Sequence, residues 1–66
     1  MRDPNRIDDF CNKLADVWKH FPDWRFGQFM MNALGEMQGN GRDPFFPEEN
    51  EMMSFLEDYA KRYGVY

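Results

Sequence analysis

A chain of 66 residues, 42% hydrophobic and 18% aromatic with a formal net charge of −4, holds one small domain; a dinucleotide-binding fold, a barrel or a second domain needs more chain. Its twelve aromatics (seven Phe, three Tyr, two Trp) are more buriable surface than a disordered chain carries. No run of about 18 apolar residues is present to span a bilayer, and residues 1–6 carry no apolar signal core.

The first element is punctuated as a helix over 4–21. Asp3 is a candidate cap and Pro4 suits the first helical position, where its missing N–H costs nothing. Ile7, Phe10, Cys11, Leu14, Val17, Trp18 and Phe21 follow at steps of three and four as one apolar stripe. Pro22 ends the helix by pushing its predecessor out of the α region. A second helix is predicted over 24–37, with Asp23 as its cap candidate and Phe26, Phe29, Met30, Ala33, Leu34 and Met37 on one face. Gly27 inside it costs about 1 kcal/mol against alanine, which predicts a close approach by the first helix or a later loop. Gln38-Gly39-Asn40-Gly41 stops it, since glycine and asparagine accept the left-handed conformation that follows a helix end.

Arg42-Asp43-Pro44-Phe45-Phe46-Pro47 reads as a loop, and two adjacent phenylalanines are costly to leave in water, so at least one is expected to lid the helical core. The third helix is predicted over 48–63, with Glu48, Glu49 and Glu51 at its positive end. Met52, Phe55, Leu56, Tyr59, Ala60 and Tyr63 form its stripe, Lys61 and Arg62 suit its last turn, and Gly64 suits a C-cap. Val65-Tyr66 forms a tail. The expected fold is all-α: one three-helix domain over residues 1–66, with an aromatic loop covering the core. Its expected core is Ile7, Phe10, Leu14, Trp18, Phe26, Phe29, Met30, Leu34, Phe55, Leu56 and Tyr59. Arg-Asp-Pro occurs twice, at 2–4 and 42–44; three residues are too few to establish a duplication, and Asp-Pro is a frequent way to punctuate an element.

Arg2-Asp3-Pro4-Asn5-Arg6-Ile7, Trp18-Lys19, Pro22-Asp23-Trp24-Arg25-Phe26-Gly27-Gln28-Phe29, Asn32 and Asp43-Pro44-Phe45-Phe46 with Glu48-Glu49-Asn50-Glu51 together resemble a family of short, uncharacterised bacterial and prophage proteins across nearly the whole chain. A fainter resemblance, through the tryptophan, Pro-Asp and Gln-Phe spacing, is to the YihD-like bacterial proteins. The resemblance implies a compact, mostly helical protein and no activity. Relatives tend to carry an aliphatic residue and then aspartates after the late aromatic pair, where this chain has Pro47 and Glu48-Glu49-Asn50.

Catalytic chemistry finds little to work with. Structural zinc wants four Cys or His ligands, and the chain has one of each. Cys11 and His20 lie nine residues apart, too far along one helix to share an ion or a proton. Cys11 is expected as a small buried hydrophobe and His20 as a last-turn residue favoured by the helix dipole. Asp43-Pro44-Phe45-Phe46 lacks the alternating oxygen ligands of a calcium loop. The carboxylate pairs Asp8-Asp9, Glu48-Glu49 and Glu57-Asp58 are sequence neighbours that point apart on a helix. The expectation is therefore no catalytic residue, no metal and no cofactor. Eight dispersed basic residues against twelve acidic ones give no patch for nucleic acid. One unpaired cysteine in so small a domain favours a reducing cytoplasm over secretion.

What remains is surplus apolar surface. Trp24, Arg25, Met31, Phe45 and Phe46 are the expected contacts for an unidentified protein partner, tryptophan and arginine being the types enriched at binding hot spots. A competing reading of Trp24-Arg25 is a staple at the corner of the first two helices, with Arg25 on a carboxylate. Adjacent methionines cannot share one core, so Met31 and one of Met52 and Met53 are expected at the surface. The expected function is a non-enzymatic, cytoplasmic protein-interaction module. The alternative is a phage-derived inhibitor of a host nuclease or defence complex, acting through acidic residues such as Glu48, Glu49 and Glu51. A homodimer is a third possibility, since the core is small and the aromatics are many.

Overall fold

The computed structural model describes residues 2–65; Tyr66, half of the expected tail, lies outside them. Three helices form: α1 (Asn5–Trp18), α2 (Phe26–Gly39) and α3 (Glu49–Tyr63), and no strand is present among the described residues. The shortest dimension of the 36 × 26 × 19 Å molecule is two helix diameters of ~10 Å each. The chain is a small all-α domain of two layers.

Asp3 and Pro4 precede α1, which begins at Asn5 with Pro4, rather than the expected Asp3, at its N-cap position. The Asp3 carboxylate accepts the Asn5 N–H at 2.9 Å, and its carbonyl accepts the Arg6 N–H at 3.2 Å. The second Arg-Asp-Pro does the same: Asp43 accepts the Phe45 N–H on Oδ1 at 2.9 Å and the Phe46 N–H on its carbonyl at 3.3 Å. The two copies are thus one turn used twice. In the first, the Ile7 N–H continues the pattern onto the Pro4 carbonyl; in the second, the equivalent residue is Pro47, which has no N–H. A helix grows from one turn and a loop from the other.

α1 stops at Trp18 rather than at residue 21. The His20 and Phe21 N–H groups bond three residues back, to Val17 and Trp18, at 3.0 and 2.8 Å, a tightening that turns Phe21 into the core before Pro22. α2 begins at Phe26, two residues later than predicted, and Asp23 does not cap it. Trp24 instead folds over Phe21, and Gln28 Oε1 accepts the Arg25 N–H at 2.7 Å. The exit from α2 is a Schellman motif: the Gly41 N–H reaches the Gln38 carbonyl, the Arg42 N–H reaches the Met37 carbonyl, and Gly41 has φ +84°.

α1 and α3 run parallel. Arg2 and Arg6 at one end reach Glu48 and Glu49 at the start of α3. At the other end, the Val65 N–H donates to the His20 carbonyl at 2.7 Å, and His20 Nδ1 donates to the Val65 carbonyl at 2.8 Å. A carbonyl only accepts, so Nδ1 is the donor of this contact. Gly64 allows this crossing: a Cβ there would lie 2.6 Å from the Ala60 carbonyl oxygen and 2.8 Å from His20 Cβ. α2 crosses near the far end, and the loop over 40–48 returns to the beginning of α3.

The core is Val17, Phe21, Phe29, Ala33, Met37, Met53, Phe55, Leu56, Tyr59 and Ala60. Phe21 is its hub, with ring centroids 4.5 Å from Trp24, 5.6 Å from Phe29 and 5.5 Å from Tyr59. Of the predicted core, Phe29, Phe55, Leu56 and Tyr59 are buried, whereas Phe10, Leu14, Trp18, Met30 and Leu34 are half-buried. Ile7 and Phe26 are corrections, at 51% and 52% exposure. Ile7 lies beyond the reach of α2, and Phe26 occupies the first position of its helix, where no preceding turn shields it. Cys11 is likewise exposed rather than buried. Gly27 has open space around it, so no close approach explains it.

Candidate interaction surfaces

The five expected contact residues fall into two groups. Trp24 is half-buried, stacked on Phe21 at 4.5 Å and 11° between planes, with its carbonyl accepting the Trp18 indole N–H at 2.9 Å. It is a staple between α1 and α2. Arg25 is exposed and takes part in no ion pair among the described residues, so the expected carboxylate partner is absent. Met31 is 77% exposed; of the other methionine pair, Met53 is buried and Met52 half-buried.

Phe45 and Phe46 depart most from expectation. They stand 84% and 74% exposed instead of lidding the core. Their rings meet each other edge to face, with centroids 5.1 Å apart. The physical reason lies in the Asp43 turn: Pro44 and Pro47 take the inward, half-buried positions of the loop, leaving both rings outward. Phe46 shares a shallow hollow with Glu51 at the beginning of α3, whereas Trp24 shares one with Tyr59 and Tyr63 near its end. Twelve residues of helix separate Glu51 from Tyr63, about 18 Å. Trp24-Arg25 and Phe45-Phe46 are therefore separate surfaces.

Part of the charged surface is engaged within the fold. Arg62 donates to both oxygens of Glu36, at 3.1 and 2.6 Å, and to Asp58 at 2.9 Å; the Tyr63 hydroxyl adds a bond to Glu36 at 2.9 Å. The Arg62 hydrogen bonds hold the Glu36 carboxyl below its ordinary value, and the same contacts raise the Arg62 guanidinium. Arg2 does the same for Glu48 through its hydrogen bond and charge. Of the three acids Glu48, Glu49 and Glu51, the first two are thus bonded to arginine. Burial pushes the Tyr59 phenol up.

The described residues contain no group of three or more His, Cys, Asp and Glu side chains placed to hold a metal ion, and no helix long and apolar enough to cross a membrane. The depressions on the surface are open grooves. One, between α1 and α3, is lined by Lys13, Asp16, His20, Glu57 and Lys61. Another, of about 380 Å³, lies among Ala15, Trp18, Lys19 and Pro22.

Sequence reasoning also left a surface unremarked, the outer flank of α1. Ile7, Cys11 and Ala15 are exposed there beside the half-buried Leu14 and Trp18. The width of the α1 stripe was the available signal: it is broader than one neighbouring helix covers. A comparison with protein-family models, curated proteins and solved structures finds no match.

Proposed function

We propose that this chain is a non-enzymatic protein-interaction module that offers the Phe45–Phe46 pair to an apolar cleft on another protein. The observation that carries the reading is the outward setting of two adjacent phenylalanines, at 84% and 74% exposure, on a loop anchored by Pro44, Pro47 and the Asp43 turn. Two aromatic rings held out of water's reach by nothing in their own chain carry a standing cost that a partner relieves. The turn keeps them presented, so less ordering is needed on binding. Trp24 serves the fold, and Met31 and Arg25 are peripheral. A cytoplasmic setting fits an exposed lone thiol, which an oxidising compartment would modify. Kinship with short bacterial and prophage proteins is proposed on the residue resemblance alone.

The alternative reading, inhibition of a host nuclease or defence complex by acidic mimicry, draws support from the net charge of −4 and loses some of it where Glu48 and Glu49 pair with Arg2 and Arg6. The experiment is affinity capture from lysate with the wild-type chain and with Phe45→Ala and Phe46→Ala. A partner lost by either variant and retained in high salt supports the aromatic surface. A partner retained by both variants and released by salt rejects it in favour of the charged one.

A further inference from the structure

The hollow beside Trp24 gathers aromatic rings around one acid. Trp24, Asn32, Glu36, Tyr59 and Tyr63 line about 430 Å³, with no basic side chain among them. α2 supplies Asn32 and Glu36, and α3 supplies Tyr59 and Tyr63, each pair one helical turn apart on a single face. Trp24 is fixed by its stack on Phe21 and by the bond from Trp18 to its carbonyl. Tyr59 is buried, and its ring meets that of Tyr63 at 4.9 Å between centroids. Helices and core therefore hold these walls in place before anything binds.

Charge decides what such a hollow accepts. Arg62 bonds Glu36 without lining the hollow, and the same guanidinium also bonds Asp58. Two carboxylates share one guanidinium, so the cluster keeps a net negative charge. The Tyr59 phenol registers it: after burial, the Glu36 charge is the next cause that raises it, ahead of the opposing pull of Arg62. The chain already seats one cation on this aromatic set, with Arg62 Cζ 5.1 Å from the Tyr63 ring centre. The Glu36 oxygens are meanwhile taken, Oε1 by Arg62 and Tyr63 and Oε2 by Arg62. A primary ammonium or a second guanidinium brings N–H groups that need acceptors, so it keeps its water and stays clear of the rings. A quaternary ammonium has no N–H to satisfy and needs only aromatic walls and negative potential.

We infer that this hollow binds a trimethylammonium group, carried by a small solute or by a methylated lysine, between Trp24, Tyr59 and Tyr63 and in the field of Glu36. The site is open to water on one side, so its dissociation constant is on the order of millimolar. It is separate from the Phe45–Phe46 surface and does not depend on it.

Two-dimensional NMR titration of the full chain at fixed ionic strength tests this, with choline, a short trimethyllysine peptide and 3,3-dimethylbutan-1-ol, the uncharged analogue of choline. Choline is expected to give saturable shifts centred on Trp24, Asn32, Glu36, Tyr59 and Tyr63, and to bind roughly five-fold tighter than its neutral analogue. Tyr63→Ala and Glu36→Gln, whose spectra also report folding, are each expected to weaken choline several-fold. Tyr63→Phe keeps the ring and is expected to stay within about two-fold of wild type. A peptide that binds tighter than choline supports the site with a methylated lysine as its ligand, and the reverse order supports it with a small solute. Absence of saturable shifts up to about 100 mM choline overturns the inference. So does a neutral analogue that binds as tightly as choline, or a folded Tyr63→Ala that binds as the wild type does.

Discussion

Removing the same phenyl ring from two positions gives a sharp test of the packing. Phe29 is fully buried, stacked near Phe21 and Trp18 at 5.6 and 6.3 Å between centroids. An aromatic side chain buries about 150–250 Å², which at ~25 cal/mol/Å² is roughly 4–6 kcal/mol; measured Phe→Ala losses in cores run at about 3–5 kcal/mol. A domain of 66 residues has a total stability of roughly 3–10 kcal/mol, so Phe29→Ala should consume most of it. Phe45 keeps 84% of its surface in solvent, and the small remainder is worth less than ~1 kcal/mol by the same coefficient. Urea melts followed by circular dichroism and tryptophan fluorescence, fitted with a shared slope, measure both. A Phe29→Ala loss below ~1.5 kcal/mol, or a Phe45→Ala loss above ~2 kcal/mol, would refute the assignment of inside and outside.

Three further outcomes are expected. Acidification should destabilise the wild type: Glu36 titrates below its ordinary 4.5 in the fold, so its contribution is present above that value and is lost as pH falls through the folded one. Glu36→Gln should flatten the pH dependence of the urea midpoint without abolishing it, because Glu48 is lowered in the same sense by Arg2. Gly64→Ala drives a Cβ against the Ala60 carbonyl and His20 Cβ, so it should cost roughly 1–3 kcal/mol and speed amide exchange at Val65. Gly35→Ala meets open space in a helix interior and should gain ~0.5–1 kcal/mol, whereas Gly41→Ala at φ +84° should lose ~1 kcal/mol, both read from thermal or urea midpoints.

The three helices were legible because periodicity and punctuation agreed: Asp3-Pro4 opened α1, Gly41 closed α2, and Phe55, Leu56, Tyr59 and Ala60 of the α3 stripe are buried, whereas Tyr63 is 57% exposed and Met53 is buried more deeply than the predicted Met52. Phe26 was misplaced because it begins its helix, and Ile7 and Cys11 because the α1 stripe is longer and broader than its neighbours cover. A stripe tells which side of a helix is apolar, but how far along that side a neighbour extends depends on the crossing of α2 and on the parallel course of α1 and α3, which no local pattern encodes. Phe45 and Phe46 were assigned to the core because their hydrophobicity outweighed the turn chemistry of Asp43-Pro44. The prolines that bracket them decide the outcome, since the loop has only two inward places and the prolines occupy both. Trp24 was readable as a staple from its place at the corner between the first two helices, and its role as a hydrogen-bond acceptor for Trp18 required the fold.

The parallel course of α1 and α3 also sets how the chain must come together. Antiparallel neighbours zip from a connecting turn, but these two meet only after residues 6 and 49, and then 20 and 65, have found each other across more than forty intervening residues. Their docking carries a loop-closure entropy that no early contact offsets. Substitutions at Arg6 or in the Val65 latch should then accelerate unfolding while leaving the refolding rate nearly unchanged, the kinetic mark of bonds made after the barrier.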